Sequence, residues 1–174
     1  MQVCGWLFST DVNQWYPAIS GKWSACSTDL QIEADNLGDP FISMLISDPL
    51  ADPMTRPAIC QNVVVWAERQ GGQWDIVGYN LAKRTRFQIT NQPGDQIQPA
   101  ISFSPELKAY LVVWADRRSG NWDIYGRVLD SADQVGGCAT AMKGDVNEDC
   151  TVDTLDVAEV QSRLGQINGV PANY

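Results

Sequence analysis

Histidine is absent from the 174 residues. That single absence removes the Ser-His-Asp and Cys-His arrangements, the histidine zinc sites and the commonest general base. Positive charge is scarce as well: 12 lysines and arginines stand against 21 aspartates and glutamates, for a net charge of −9. Nucleic acid and anionic membranes both select a basic face, so neither is expected as a partner. No stretch approaches the roughly 18 apolar residues of a membrane-spanning helix. The opening Met1-Gln2-Val3-Cys4-Gly5-Trp6 has neither the charged n-region nor the apolar h-region of a secretory signal. Cysteine is present five times, at Cys4, Cys26, Cys60, Cys138 and Cys150. That usage is consistent with an oxidising compartment, and the odd count leaves one thiol over. Cys4 with Cys26 and Cys138 with Cys150 are the expected pairings, although sequence leaves connectivity open.

What is present is one phrase written twice. Asn62–Leu81 reads NVVVWAERQGGQWDIVGYNL and Tyr110–Leu129 reads YLVVWADRRSGNWDIYGRVL, and the two align without a gap. Each copy reads as a hairpin: a continuous apolar run, a charged turn containing glycine, and a return through Trp-Asp-Ile with alternating side chains. The unbroken run suits a strand covered on both faces, and the alternating return suits one nearer an edge. Gly72 and Gly120 are placed to supply the positive φ of a tight turn.

A second phrase precedes each hairpin. Leu7-Phe8-Ser9-Thr10 leads to Tyr16-Pro17-Ala18-Ile19, Ile46-Ser47-Asp48 to Arg56-Pro57-Ala58-Ile59, and Gln88-Ile89-Thr90 to Gln98-Pro99-Ala100-Ile101. This predicts a strand, a polar loop and a second strand opened by proline, where the missing N–H costs least. A degenerate third hairpin follows from the same frame. Trp23 follows Ile19 as Trp66 follows Ile59, and Gln31–Leu37 matches Asp75–Leu81. Three tandem units of about 40 residues result, at about 5–37, 41–81 and 87–129. With four short strands each, they predict an all-β chain whose residues 1–130 form an incomplete β-propeller of three blades.

All seven tryptophans fall in these units, and packing between blades is their expected role. Glu68/Asp116, Arg69/Arg117 and Asp75/Asp123 recur at fixed hairpin positions. A carboxylate repeated in every blade reads as a turn-fixing ion pair or Asx hydrogen bond rather than an active site. The hairpin VVWADRRSGNWDIYGRVL and the segment FQITNQPGDQIQPAIS resemble the TolB-type, WD-like propeller repeats of bacterial periplasmic and cell-surface proteins. The resemblance covers Phe41–Leu129 well and Gly5–Leu37 poorly. Three blades do not close a propeller. Either the chain is the C-terminal part of a longer protein or an open reading frame begun late, or it is an open array that closes on another copy.

After Leu129 the composition changes. Residues 131–142 are small, polar and glycine-containing, as in a linker. Residues 143–165 carry the second informative stretch, GDVNEDCTVDTLDVAEVQSRLG from Gly144. Counted from Asp145, side-chain oxygens fall at the first, third, fifth, ninth and twelfth places (Asp145, Asn147, Asp149, Asp153, Asp156), with the Thr151 carbonyl at the seventh. That is the calcium spacing of an EF-hand loop. Val157, Val160 and Leu164 then predict a short amphipathic helix ending at Gly165. The sixth place holds Cys150 instead of glycine, at a cost of about 1 kcal/mol if it turns left-handed; a bond to Cys138 would hold it there. Asp156 is shorter than the usual bidentate glutamate.

This segment resembles a type I dockerin repeat. The resemblance implies calcium on Asp145, Asn147, Asp149, Thr151, Asp153 and Asp156, and docking to a cohesin-like protein, with Thr154 and Leu155 at the reading positions. It covers one repeat only, because the tail at 166–174 (QINGVPANY) has no aspartate. The expected function is a secreted or cell-surface, non-catalytic binding protein. Its context would be polysaccharide breakdown, its propeller ligand a polysaccharide or cell-surface group, and its location extracellular, cell-surface or periplasmic. The runners-up are a fragment of a propeller glycoside hydrolase, with Asp11, Asp48, Asp52 and Asp95 as loop carboxylates, and a self-associating structural protein.

Overall fold

The computed structural model describes residues 13–29, 31–39, 41–48 and 55–129. The Leu7–Thr10 strand, Cys4, Cys138 and Cys150, the linker, the Asp145–Asp156 loop and its helix lie outside these residues. The described chain is eleven strands and contains no helix. They are β1 (Gln14–Ser20), β2 (Trp23–Thr28), β3 (Ile32–Asn36), β4 (Ser43–Leu45), β5 (Ala58–Cys60), β6 (Val63–Gln70), β7 (Gln73–Asn80), β8 (Thr85–Gln88), β9 (Gln96–Ser104), β10 (Ala109–Asp116) and β11 (Asp123–Leu129).

They form three antiparallel meanders, β1-β2-β3-β4, β5-β6-β7-β8 and β9-β10-β11, none of them closed into a barrel. We call them the first, middle and last sheets. Their phase differs from that of the sequence units. The strand expected to open each unit, around Ile46 or Ile89, instead follows the outermost strand of the preceding sheet, where the amides of Ile46 and Ile89 donate to the carbonyls of Ile32 and Ile76 at 2.9 Å. The polar loop is therefore the crossover from one sheet to the next. Among the described residues the last sheet has three strands rather than four.

The predicted hairpins are present. In the middle sheet the ladder runs from Val63↔Asn80 to Gln70↔Gln73 and closes on two glycines, Gly71 and Gly72, at φ 59° and 98°. Two consecutive positive φ values match the right-handed twist of the flanking strands, which is why glycine stands at both. The degenerate hairpin β2–β3 follows the same plan. Asn36 and Asn80 each turn a side-chain oxygen onto backbone amides just ahead, and the Ser47 and Thr90 hydroxyls accept from Ile32 and Ile76 at 2.9 and 2.8 Å. Its tryptophan is displaced, however. The register Trp23↔Asn36 puts Trp23 at the place of Val63 and Cys26 at the place of Trp66.

The sheets stack face to face over two apolar cores. Trp23, Ala25, Ile32, Ala34 and Ile46 of the first sheet meet Val64, Trp66, Val77 and Leu81 of the middle one. Val63, Val65, Ala67, Ile76 and Ile89 of the middle sheet meet Tyr110, Val112, Trp114, Tyr125 and Leu129 of the last. β6 is thus covered on both faces, as its unbroken apolar run requires. The matching strand β10 alternates, because no described sheet covers its far face. β7 corrects the edge-strand expectation: it lies inside the sheet, and Asp75 to Gly78 are buried. The first sheet departs in chemistry. Where the middle sheet turns Val64, Trp66, Val77 and Tyr79 toward its predecessor, the first has Ser24, Cys26, Glu33 and Asp35. All four are buried. Burial, with the neighbouring Asp35 charge adding to it, raises the Glu33 carboxyl above its ordinary range despite a hydrogen bond from Ser43.

Candidate binding cleft

The recurrent carboxylates are structural, with partners other than those expected. The Trp66 indole N–H donates to Glu68 at 3.1 Å and that of Trp114 to Asp116 at 2.9 Å. Glu68 pairs with Arg86 of β8 rather than Arg69, and Asp116 with Arg118 rather than Arg117, at 2.6 Å. Side-chain length explains the difference. Glutamate reaches across to the outer strand, while the shorter aspartate captures the amide of Arg118 at 2.9 Å and ends the β10–β11 ladder early. Burial pushes the Asp116 carboxyl up, but Arg118, the Trp114 N–H and the Arg118 backbone amide outweigh it and hold the group below its usual range. Asp75 is raised by burial, partly offset by hydrogen bonds from Gln73 and Thr90. Arg117 lies over the ring of Trp122 instead, 5.9 Å from its centroid.

The tryptophans divide. Trp23, Trp66 and Trp114 pack between sheets as expected, whereas Trp122 is 48% exposed and Trp74 half-buried. Of the loop carboxylates, Asp11 and Asp52 lie outside the described residues, and Asp48 is exposed. Asp95 accepts the backbone N–H of Trp74 at 3.1 Å and so braces that residue from the neighbouring loop. The expected metal ligands Asp145, Asn147, Asp149, Thr151, Asp153 and Asp156 lie outside the described residues.

What the structure does bring together is the second repeated phrase. The first strand of each sheet (β1, β5, β9) contacts the first strand of the next. In β1 and β9 the ladder slips at the X-Pro step, between Trp15 and Ala18 and opposite Val113–Ala115. Tyr16 and Gln98, the residues before the prolines, take the left-handed region at φ 51° and 55°. The other side-chain-bearing residues with positive φ, Gln61, Arg84 and Lys108, sit in turns. Inside a strand this conformation is strained, and strain of this kind is stored where a side chain must be re-aimed.

Tyr16, Arg56 and Gln98, the three X residues, meet in one cleft of about 400 Å³. Thr55, Ala67, Trp74, Ile97 and Pro99 complete its lining. The guanidinium of Arg56 lies over the Tyr16 ring, 4.5 Å from its centroid. Trp74 is held in place by its backbone bond to Asp95 and by contact with the core of the middle and last sheets. Among the described residues the lining offers a cation, a carboxamide, a hydroxyl and two aromatic rings over an apolar floor, and no carboxylate or thiol. A mostly apolar floor with a few convergent polar groups is the usual make-up of a ligand pocket. The cleft was not foreseen from sequence. Its signal was the Pro-Ala-Ile frame, constant in three copies while the residue before it changes from Tyr to Arg to Gln.

No family model and no curated protein matches the sequence. Among solved structures the chain is similar to the putative TolB from Agrobacterium tumefaciens, at 14% identity over 62% of this chain and 39% of that one, with a TM-score of 0.48. It is similar also to the N-terminal domain of Nup159, at 10% identity over 68% of this chain and 45% of that one, with a TM-score of 0.34. The chain spans less than half the length of either.

Proposed function

We propose that this chain is a non-catalytic binding protein of the extracellular or cell-surface space, with propeller-like sheets that hold a ligand in the X-Pro cleft. The convergence of Tyr16, Arg56 and Gln98 from three sheets onto one cleft carries the reading. Three equivalent positions with a constant frame and divergent side chains are what a scaffold needs to compose a site from repeats. The ligand class is a saccharide of the kind the dockerin-like tail implies. In that tail an all-oxygen, mostly anionic donor set (Asp145, Asn147, Asp149, Thr151, Asp153, Asp156) fits calcium, a hard cation taking six to eight oxygens. Calcium would order the loop, and the loop with Thr154 and Leu155 would attach the sheets to a cohesin-like partner.

Two titrations test this on the full chain. Oligosaccharides read by tryptophan fluorescence are expected to give a saturable change that Trp74→Ala abolishes. A response unaltered by that substitution places the ligand elsewhere. Calcium read by calorimetry is expected to bind at about one equivalent and to be lost in Asp145→Ala. Absence of heat in the intact chain removes the calcium and attachment reading and leaves the cleft untouched.

A further inference from the structure

We infer that the cleft takes a carboxylated saccharide, a uronate, rather than a neutral sugar; the inference rests on the cleft being a ligand site. Arg56 is exposed and lines the cleft, and among the described ion pairs no carboxylate engages it. One face of its guanidinium is occupied by the Tyr16 ring. Stacking of that kind fixes the plane and leaves the N–H edge free, which is the edge that grips a carboxylate with two parallel hydrogen bonds. In a chain of net charge −9, a cation presented this way is selective for the anionic group it touches.

The remaining lining suits a sugar ring. Trp74 offers an apolar ring surface to the C–H face of a pyranose, and the exposed Gln98 carboxamide both donates to and accepts from hydroxyl groups. At about 400 Å³ the cleft lies toward the small end of ligand pockets and fits a mono- or disaccharide unit.

An acidic peptide, the other anionic candidate, fits less well. An extended peptide would bind by adding to a strand edge, and β1, β5 and β9 are the edges at the cleft. Each carries or adjoins a proline there, Pro17, Pro57 and Pro99, and proline has no N–H to give. Recognition falls to side chains, not to a backbone ladder.

The test is calorimetric titration of the full chain with trigalacturonate, its methyl ester, neutral galactotriose and triglutamate, repeated for Arg56→Gln, Arg56→Lys and Trp74→Ala. Arg56 is exposed, so its variants keep the fold, which circular dichroism checks. Trigalacturonate is expected to bind about tenfold or more tighter than the ester and the neutral sugar. Arg56→Gln should erase that ratio, Arg56→Lys should retain part of it, and Trp74→Ala should weaken every saccharide. Equal, Trp74-dependent binding of acidic and neutral sugars overturns the uronate inference and keeps the cleft as a ligand site. Preference for triglutamate overturns it in favour of a peptide. No Trp74-dependent binding of any of the four overturns both readings.

Discussion

The β6–β7 and β10–β11 hairpins share a phrase and a ladder but not an environment. Ile76 is 0% exposed and its counterpart Ile124 75%; Val63 is 0% exposed and Leu111 44%. What lies beyond them differs. The last sheet packs on Val63 and Ile76, and no described sheet packs on Leu111 and Ile124. Equivalent positions therefore carry different weight, because burial is a property of the stack and not of the repeat.

The comparison breaks most sharply at the isoleucines. Ile76→Ala should destabilise by about 4 kcal/mol through lost burial and the cavity it leaves, whereas Ile124→Ala should stay within about 0.5 kcal/mol. Denaturant unfolding checks both, and equal losses would mean that the far face of the last sheet is covered in solution. Next come the carboxylates under the tryptophans. Asp116→Ala removes the carboxylate that pairs with the mostly buried Arg118 and orphans the Trp114 N–H, for about 3 kcal/mol. Glu68→Ala likewise orphans the Trp66 N–H but should cost less, about 2 kcal/mol, because Arg86 is a third exposed and finds water. A reversal of that order would mean that Arg86 depends on its carboxylate more than Arg118 does.

The paired glycines sharpen the comparison at finer scale. A Cβ on Gly78 would run into the ring of Phe87, which lies across it from β8, while one on Gly126 meets Val113 Cγ1 at 3.2 Å on the open face. Gly78→Ala should cost about 2 kcal/mol and Gly126→Ala less, since Val113 has room to yield; the two midpoints measured side by side decide it.

The smallest effect belongs to the first sheet. Glu33 is raised, so ionising it costs stability at neutral pH, and that loss is recovered as pH falls through the raised value toward the ordinary carboxylate range. Asp116 has the opposite sign: its contribution is present above the unfolded value and lost as pH falls through its lowered one. Glu33→Gln should therefore raise the thermal midpoint at about pH 7 by a degree or two and flatten its rise toward about pH 5. An unchanged pH profile would remove Glu33 as the source of that rise.

Much of this was legible beforehand for local reasons. The two long hairpins, the positive φ of Gly72 and Gly120, and the equivalence of Asn36 with Asn80 follow from turn chemistry and a two-residue side-chain period, both of which act within a few residues. Less legible was which tryptophan occupies which place. Trp23 shares a residue type with Trp66 but not a register, and register is set by pairing across strands. The partners of Glu68 and Asp116 escaped for a related reason: the arginines beside them in sequence point elsewhere, and the difference of one methylene chooses which arginine is reached.

By itself the sequence determined the strand content, the tandem repeat, the hairpin turns and the acidic balance, because those depend on neighbours along the chain. The tertiary structure alone decided where one sheet ends and the next begins, which apolar face is covered, and that Tyr16, Arg56 and Gln98 share a cleft. Those three residues are some forty positions apart, and only the stacking of the three first strands makes them neighbours.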